Sequence, residues 1–239
     1  MSKDFEELDY RQTSLGELIL RRRRLRLLDG LEVFEVKLGD AFLMSSLFHV
    51  VEEALATFAL ADVKHPPHDV VVGGLGLGYT ARAALQHPEV RSLVVIDFLA
   101  PVIEWHEQGL VPLGAGLTAD PRCHFLHADF FALAQSNDGF DPEQAQRKFD
   151  AVLLDIDHSP QDLLHPQNAA FYSKEGLQSL ATHIRPGGVF GLWSDDPPDD
   201  DFLATLSRVF DQVRAHVVTF ANPLLESDSA STVYVAEKA

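Results

Sequence analysis

The sequence predicts an α/β protein: a doubly wound seven-stranded sheet that ends in an antiparallel C-terminal hairpin and follows a small N-terminal β element. Three observations carry this prediction. From residue 69 onward, short apolar runs typical of buried parallel strands alternate with segments of helical period. The first of these runs leads into a glycine-rich turn. The last two strand-like segments have no room for a crossover helix between them.

The N-terminal element is predicted from two strand-like stretches, residues 31–36 and 41–44, joined by the turn signal Gly39-Asp40. The basic run of residues 21–26 comes before them, and we interpret it as a solvated edge or as charges that pair with the acidic remainder of the chain. An apolar helical face follows from Leu47. We therefore divide the chain into a small β region, residues 1–46, and a larger domain, residues 47–239.

The larger domain contains five predicted parallel strands and four helices between or after them. The strands are residues 69–72, 93–96, 124–126, 151–154 and 189–193, and the helices are residues 80–86, 101–108, 169–184 and 202–210. Pro186-Gly187-Gly188 is interpreted as the stop of the third helix. Residues 215–220 and 232–235 form the predicted antiparallel hairpin.

Composition limits the classes of partner. The formal net charge is −17, and residues 1–37 carry eight basic and eight acidic side chains, so the whole deficit lies in the rest of the chain. Such a surface repels a phosphate backbone, so we expect no nucleic-acid partner and favour a small cationic substrate. The absence of a long apolar run argues against a membrane partner and a signal peptide. Cys123 is the single cysteine, which excludes an intrachain disulfide and suits a cytoplasmic protein.

A glycine-rich loop supplies the sharpest functional signal. The stretch VVVGGLGLG, residues 70–78, is a buried strand running into a turn and then a helix, which brings backbone amides close to a nucleotide. Asp97 ends the next strand, 21 residues after Gly76, where a carboxylate can accept hydrogen bonds from ribose hydroxyls. Residues 76–81 also fit the G-x-G-x-x-A form of a dinucleotide fingerprint, so glycines alone leave the nucleotide open.

Two further features favour an adenosyl-methionine type of sheet over a dinucleotide type. The terminal hairpin takes the place of further strand-helix units. Asp129 follows the third strand beside Phe130, where a carboxylate next to an aromatic ring can accept a hydrogen bond from an adenine amino group. The alternative for Asp129 is a cap on the following turn.

Acidic residues follow the fourth strand in the order Asp155-Ile156-Asp157-His158. An amine is protonated and non-nucleophilic at neutral pH, so carboxylates at a strand end can attract it, align it and help remove its proton. Alternation along an extended segment would place Asp155 and Asp157 on one side, as two candidate catalytic residues framing one site. We expect no metal, because no ligand set of suitable spacing is visible.

A second acidic group follows the fifth strand. Asp195 and Asp196 are candidates for extending the site toward a cationic substrate, since ligands bind at the carboxyl ends of the strands in such sheets. Residues 199–201 are better explained as helix-capping acids. Tyr172 is a candidate for lining the acceptor site, with core packing as the alternative.

Over residues 69–236 the chain resembles the class I S-adenosylmethionine-dependent methyltransferase fold, which is Rossmann-like, and within it most closely the spermidine synthase (polyamine aminopropyltransferase) family. The resemblance is carried by the segments VVVGGLGLG, VVIDFLAPVIEW, HADFF, FDAVLLDIDHSP, FYSKEGLQSLATHIRPGGVF and TVYVA. It implies transfer of an aminopropyl group from decarboxylated S-adenosylmethionine to a polyamine-type amine. It also suggests a homodimer formed through the N-terminal β element.

The resemblance implies roles for particular residues. Gly74, Gly76 and Gly78 would cradle the adenosyl donor, Asp97 would hold its ribose, and Asp129, with Phe130, its adenine. Asp155 matches the family aspartate that orients the attacking amine and helps accept its proton. These assignments, together with His158 as a substrate contact, are expectations.

The chain departs from the family at two places. Aminopropyltransferases usually carry an aspartate in the glycine loop, where this chain has residues 74–77, GLGL, and the second aspartate of their D-x-x-D pattern falls on His158. Methyltransferases often carry an acid two residues before the first glycine of the G-x-G-x-G run, which is Val72 here. The alternatives are therefore a methyltransferase that acts on a small cationic molecule with intact S-adenosylmethionine, a non-catalytic nucleoside-binding protein, and an NAD-dependent oxidoreductase.

Overall fold

The computed structural model describes residues 4–225 and 227–239. Its N-terminal part is a four-stranded antiparallel sheet in the order β1-β2-β3-β4. The strands are β1 (Phe5–Thr13), β2 (Gly16–Leu25), β3 (Leu31–Leu38) and β4 (Ala41–Ser45). The predicted hairpin of residues 31–44 is thus the second half of a larger sheet. The division of the chain into two domains at residue 46 stays a prediction.

Residues 21–25 of the basic run lie in β2. Arg21 donates a 2.5 Å hydrogen bond to Glu35 on β3, and Arg22 donates one of 2.6 Å to Glu6 on β1. These two arginines therefore pair with acids of their own sheet and not with the acidic remainder of the chain. Cross-strand pairing of opposite charges stabilises a strand that shows little apolar alternation.

The main sheet has seven strands in the order β10-β11-β9-β8-β5-β6-β7. They are β5 (His68–Gly73), β6 (Val90–Asp97), β7 (Cys123–His127), β8 (Phe149–Leu154), β9 (Ile184–Ser194), β10 (Gln212–Phe220) and β11 (Ser229–Glu237). The first five strands are parallel, and β11 joins β9 antiparallel, which confirms the predicted fold class and hairpin. Both faces of the central strands are buried, as their continuous apolar sequence requires.

Helices cover the two faces of this sheet. They are α1 (Val50–Asp62), α2 (Tyr79–Gln86), α3 (Ala100–Glu107), α4 (Gly114–Ala119), α5 (Phe130–Gln135), α6 (Lys174–Thr182) and α7 (Asp200–Leu206). The predicted helix of residues 169–184 is shorter, because the Ser173 hydroxyl accepts a hydrogen bond from the Gly176 amide and starts α6 there. Residues 186–188, interpreted as a helix stop, lie in the first part of β9. Within the described residues, none of the helices is long and apolar enough to span a membrane.

The sheet reverses its order of winding at β5, which lies between β6 and β8. Parallel strands on either side of this position send their connections to opposite faces, so a crevice opens at the carboxyl ends of the strands. The residues at this edge are Gly73, Asp97 and Ser194, with Asp155 directly after β8. The fold therefore brings the predicted glycine loop and strand-end acids to one edge.

Candidate active site

A cavity of about 420 Å³ lies at this edge, between the main sheet and the N-terminal sheet. Its walls are largely apolar, and a set of acidic side chains lines it. The apolar walls include Leu38, Phe42, Leu43, Met44, Phe48, Phe98, Val102, Ile156, Trp193 and Phe220, and the acids are Glu52, Asp97, Asp155 and Asp195. Among the described residues that line the cavity, none is a lysine or arginine. An apolar cavity with a few convergent charged groups is the usual form of a small-molecule site.

The glycine loop forms one wall of the cavity with Gly74 and Gly76, and its backbone is in the left-handed region at both. A Cβ atom on Gly74 would collide with the carbonyl oxygen of Asp155, and one on Gly76 would lie 2.5 Å from the sulfur of Met44. The amide of Leu77 donates a 3.2 Å hydrogen bond to that same sulfur. Only glycine fits at these positions, because the neighbouring strand end and β4 both press against the loop.

Asp97 also lines the cavity, directly beside the loop. Its Oδ2 accepts a hydrogen bond from the Leu75 amide at 3.0 Å and its Oδ1 accepts one from the Leu99 amide at 2.8 Å. Burial raises the pKa of Asp97, and these amide contacts act in the opposite direction. Each carboxylate oxygen keeps capacity for a further hydrogen bond, so the group can accept from a ligand hydroxyl.

Asp155 also lines the cavity, just beyond the end of β8, where its backbone lies against Gly74. Its Oδ2 accepts a 2.6 Å hydrogen bond from the hydroxyl of Thr80 on α2. Burial raises the pKa of Asp155 to about 6, and the bond from Thr80 lowers it in part. A carboxyl group with a pKa near neutrality is suited to exchange a proton with a ligand.

Glu52 is a site residue that the sequence did not reveal. It lies in the first turn of α1, has only 8% of its surface exposed, and lines the cavity. Burial first, and then the charge of Asp155, raise the pKa of Glu52 to about 8. Acids in the first turn of a helix usually serve the helix dipole in solvent, so sequence pattern offers no sign of a buried one.

Asp195 and His158 meet at the cavity mouth. The Asp195 amide donates a 2.7 Å hydrogen bond to the His158 carbonyl oxygen, and the Asp195 side chain accepts one of 3.0 Å from Ser231 on β11. Both residues line the cavity, as predicted for a substrate site, and their contact with substrate stays a prediction. Asp196 is exposed and does not line it.

Asp157 and Tyr172 do not reach the cavity, which corrects the prediction that they contact substrate. Asp157 has no exposed surface, and its carboxylate accepts hydrogen bonds from the Leu164 amide at 2.8 Å, from Asn168 Nδ2 at 2.8 Å and from the Tyr172 hydroxyl at 2.8 Å. The chain leaves the extended conformation after β8, so alternation does not continue to Asp157. These contacts make Asp157 a structural group that holds the loop of residues 155–172 together.

Three predicted donor-binding residues also lie outside the cavity lining. Phe130 is 2% exposed and packs against Gly73 in the core, so its predicted contact with adenine is wrong. Asp129 caps α5 through its Oδ1, which accepts from the amides of Phe131 and Ala132 at 2.9 and 3.1 Å. Its Oδ2 makes no hydrogen bond with the described residues, and an adenine contact stays a prediction. Gly78 lies at the start of α2, beside His106.

The fold and this site define a protein of the class I methyltransferase-like fold. A solved structure of human methyltransferase-like protein 13 in complex with SAH is similar to this chain, with a TM-score of 0.56, 20% sequence identity and coverage of 80% of both chains. Within this class, the family model of the spermine/spermidine synthase domain matches residues 48–222. The chain belongs to the spermine/spermidine synthase family.

The similar curated proteins are polyamine aminopropyltransferases, in agreement with this family. The chain is 32% identical over 160 residues to polyamine aminopropyltransferase 2 of Pseudomonas aeruginosa, with 64% of this chain and 42% of that protein covered. It is 28% identical over 151 residues to the polyamine aminopropyltransferase of Pyrobaculum arsenaticum, with 63% of this chain and 50% of that protein covered. It is 25% identical over 217 residues to the polyamine aminopropyltransferase of Sulfolobus acidocaldarius, with 89% of this chain and 65% of that protein covered. The chain thus spans about half the length of the first of these relatives.

Solved structures support the fold over nearly the whole chain. A spermidine synthase in complex with the transition state analogue AdoDATO gives a TM-score of 0.74 at 18% identity and covers 98% of this chain and 74% of that chain. The spermidine synthase from Thermotoga maritima gives a TM-score of 0.72 at 18% identity. This match covers 98% of this chain and 72% of that chain. This coverage includes the N-terminal sheet, so both sheets belong to the shared fold.

Proposed function

We propose that this protein transfers an aminopropyl group from decarboxylated S-adenosylmethionine to a polyamine-type amine. The observation that carries the proposal is the charge distribution of the cavity: it is lined by a glycine loop and by the acids Asp97, Asp155, Glu52 and Asp195, with no lysine or arginine among the described lining residues. A sulfonium donor and an amine acceptor are both cations, and such a cavity attracts both. The names of the curated relatives support the same reaction.

The cavity favours the decarboxylated donor over intact S-adenosylmethionine. The intact donor carries a carboxylate, and that group would enter a cavity that four acids line. No lysine or arginine is present among the described lining residues to pair with it. An unpaired charge of like sign in a largely apolar cavity is costly. The decarboxylated donor presents only an ammonium in its place. Gly74, Gly76 and Asp97 would hold its adenosine part, with Asp129 at the adenine.

The reaction requires that the protein position the amine and the donor and supply one proton acceptor. The lone pair of an amine nitrogen attacks the aminopropyl carbon bonded to sulfur, a carbon–nitrogen bond forms, and the carbon–sulfur bond breaks with its electrons going to sulfur. Methylthioadenosine leaves as a neutral thioether. The acceptor amine must first lose a proton, and Asp155, which lines the cavity, would bind the ammonium and accept that proton.

The experiment that tests this proposal is incubation of the purified protein with decarboxylated S-adenosylmethionine and a panel of diamines, with products identified by mass spectrometry. We expect an aminopropylated amine and methylthioadenosine in equal amounts. Asp155→Asn should abolish the product, whereas the exposed Asp162→Asn should leave it unchanged. A methylated amine formed from intact S-adenosylmethionine would establish methyl transfer instead, and no product with any diamine would refute transfer to a diamine.

We further propose a cytoplasmic homodimer that takes small-molecule substrates and has no nucleic-acid partner. Unpaired Cys123 is consistent with a reducing compartment. The N-terminal sheet exposes apolar side chains that a second copy would cover, including Phe5 at 53% and Leu31 at 48%. Light scattering of the purified protein tests the dimer, and a charged substitution of Leu31 should then shift it to monomer.

A further inference from the structure

One peptide group of the glycine loop, between Gly76 and Leu77, is held by side chains at both of its polar atoms. Nε2 of His106 on α3 lies 2.9 Å from the Gly76 carbonyl oxygen, and the Leu77 amide donates a 3.2 Å hydrogen bond to the sulfur of Met44 on β4. A peptide group is planar, so contacts at its oxygen and at its nitrogen together fix its orientation. We refer to the Gly76–Leu77 peptide as the loop peptide.

The neighbouring loop amides are engaged within the main sheet and the loop itself. The Gly74 amide donates a 2.8 Å hydrogen bond to the Ile96 carbonyl oxygen, and the Leu75 amide donates one of 3.0 Å to Asp97. The Gly78 amide donates one of 2.7 Å to the Leu75 carbonyl oxygen. The orientation of the loop peptide, in contrast, depends on side chains of α3 and of the N-terminal sheet.

His106 is neutral in this position. It has no exposed surface, and burial lowers its pKa, although the contact with Gly76 acts in the opposite direction. A neutral imidazole carries one N–H, and a carbonyl oxygen only accepts, so the N–H is on Nε2 and donates to Gly76. Nδ1 is buried and has no hydrogen-bond partner among the described residues. The polar contact of this side chain is therefore directed at the loop peptide.

The ring of His106 also packs against the loop. A Cβ atom on Gly78 would lie 2.9 Å from Cε1 of His106, so glycine at this position lets the ring approach. The ring meets Phe125 of β7 edge-on, with 5.7 Å between the ring centroids. Gly76 and Met44 line the cavity and His106 does not, so His106 reaches the cavity only through the loop.

We propose that His106 is a positioning residue which, together with Met44, orients the loop peptide and thereby sets the affinity for the adenosyl donor. This inference rests on the proposed function, because the loop forms the cavity wall assigned to that donor. Without the N–H of His106, the Gly76 carbonyl oxygen loses its donor and the loop peptide becomes free to rotate. Donor binding must then order the loop peptide again, and affinity falls.

The test is titration with methylthioadenosine, combined with steady-state kinetics. His106→Leu removes the N–H, and we expect the Kd of methylthioadenosine to rise about 3- to 10-fold. The KM of decarboxylated S-adenosylmethionine should rise by a similar factor, with kcat and the KM of the amine unchanged within about twofold. His106→Gln carries an N–H in place of Nε2 and should restore affinity to within about twofold of the wild type.

His183→Leu is the matched control, because His183 is a second buried histidine and does not line the cavity. It packs against Phe140 and directly precedes β9, at the opposite edge of the main sheet from the cavity. This variant should keep the wild-type Kd for methylthioadenosine, whatever its stability. Urea unfolding of each variant gives the folded fraction to which its Kd refers.

A double-mutant cycle tests whether His106 and Met44 act on one peptide. Met44→Leu keeps an apolar side chain of similar size and removes the sulfur acceptor. It should raise the Kd of methylthioadenosine about 3- to 10-fold, and this variant decides the inference if His106→Leu does not fold. The double variant should lose less affinity than the product of the two single losses, because both contacts fix the same rigid group. Losses that multiply would show independent effects and contradict the inference.

The outcomes separate this inference from the proposed function. A wild-type protein that does not bind methylthioadenosine contradicts the proposed function itself. If the wild type binds it and folded His106→Leu or Met44→Leu binds it equally well, the side chain concerned is structural only and the inference is wrong. An equal loss of affinity in His106→Gln and His106→Leu would also overturn it, because donation of the N–H would then have no effect.

Discussion

The hydroxyl of Thr80 donates a 2.6 Å hydrogen bond to Oδ2 of Asp155, joining the first helix after the glycine loop to the end of β8. The same hydroxyl lies 3.3 Å from the carbonyl oxygen of Glu52. One side chain of α2 thus contacts both carboxyl-bearing segments of the cavity. Its hydrogen bond stabilises the ionised form of Asp155, whose pKa burial has raised.

Thr80→Val should therefore shift the pH profile of amine transfer. Without the hydrogen bond, the pKa of Asp155 rises further above about 6, and the group becomes a proton acceptor only at higher pH. We expect the acidic limb of kcat/KM to move upward by roughly half to one pH unit. Thr57→Val, an exposed threonine of α1, is the control and should leave the limb in place. An unchanged limb in Thr80→Val would contradict the role of Asp155 as the titrating group.

Gly74→Ala should disrupt the donor wall of the cavity. The residue has a φ of +95°, and an added Cβ would collide with the carbonyl oxygen of Asp155. We expect a loss of about 2–4 kcal/mol in the free energy of unfolding and no measurable methylthioadenosine binding. Gly116 is an exposed residue of α4, and Gly116→Ala meets no atom within 4 Å and should change stability by less than about 1 kcal/mol. Normal ligand binding by Gly74→Ala would show that the loop does not form the donor site.

Asp157→Ala should affect stability and not ligand affinity. It leaves the Asn168 amide and the Tyr172 hydroxyl unpaired in the core, which costs about 3 kcal/mol in the free energy of unfolding. Tyr172→Phe removes one donor only and should cost about 1 kcal/mol. Urea unfolding measures both, and the folded fraction should bind methylthioadenosine as the wild type does. If Asp157→Ala is as stable as the wild type and fails to bind amine, Asp157 is a ligand-binding residue and not a structural one.

The free protein should lose stability as the pH rises. The pKa of Glu52 increases from 4.5 to about 8 on folding, mainly through burial, so the folded state binds a proton that the unfolded state has lost. This contribution is fully present below about pH 4.5 and disappears as the pH rises through about 8. In Glu52→Gln the decline should be smaller, and the difference between the two proteins, measured by urea unfolding at about pH 5 and about pH 8.5, isolates Glu52. An equal loss of stability with pH in the wild-type protein and in Glu52→Gln would contradict the burial of the Glu52 carboxyl group.

The central sheet could be predicted because each parallel strand is apolar on both faces, and the hairpin because its two segments are too close for a crossover. β1 and β2 were missed for the opposite reason. β1 carries charged residues such as Glu6 and Glu7, and β2 contains four consecutive arginines, so their stability depends on cross-strand ion pairs that only the tertiary structure reveals.

The site, too, contains residues that the sequence predicts and residues whose position depends on the tertiary structure. Asp97 and Asp155 could be located because the topology of a parallel sheet sends the residues after each strand to one edge. Asp157 was misplaced because alternation ends with β8, and Phe130 because its ring packs against Gly73. Glu52 could not be predicted, since its burial depends on how α1 packs against α2 and the main sheet, and no pattern in the sequence shows that packing.

Calorimetric titration of the free protein with decarboxylated S-adenosylmethionine and with intact S-adenosylmethionine tests the central claim most directly, because the two donors differ by one carboxylate. An acidic cavity with no lysine or arginine among its described lining residues should bind the decarboxylated donor on the order of tenfold or more tightly than the intact one. It should also bind methylthioadenosine. Binding of intact S-adenosylmethionine or S-adenosylhomocysteine, with none of the decarboxylated donor, would contradict the account.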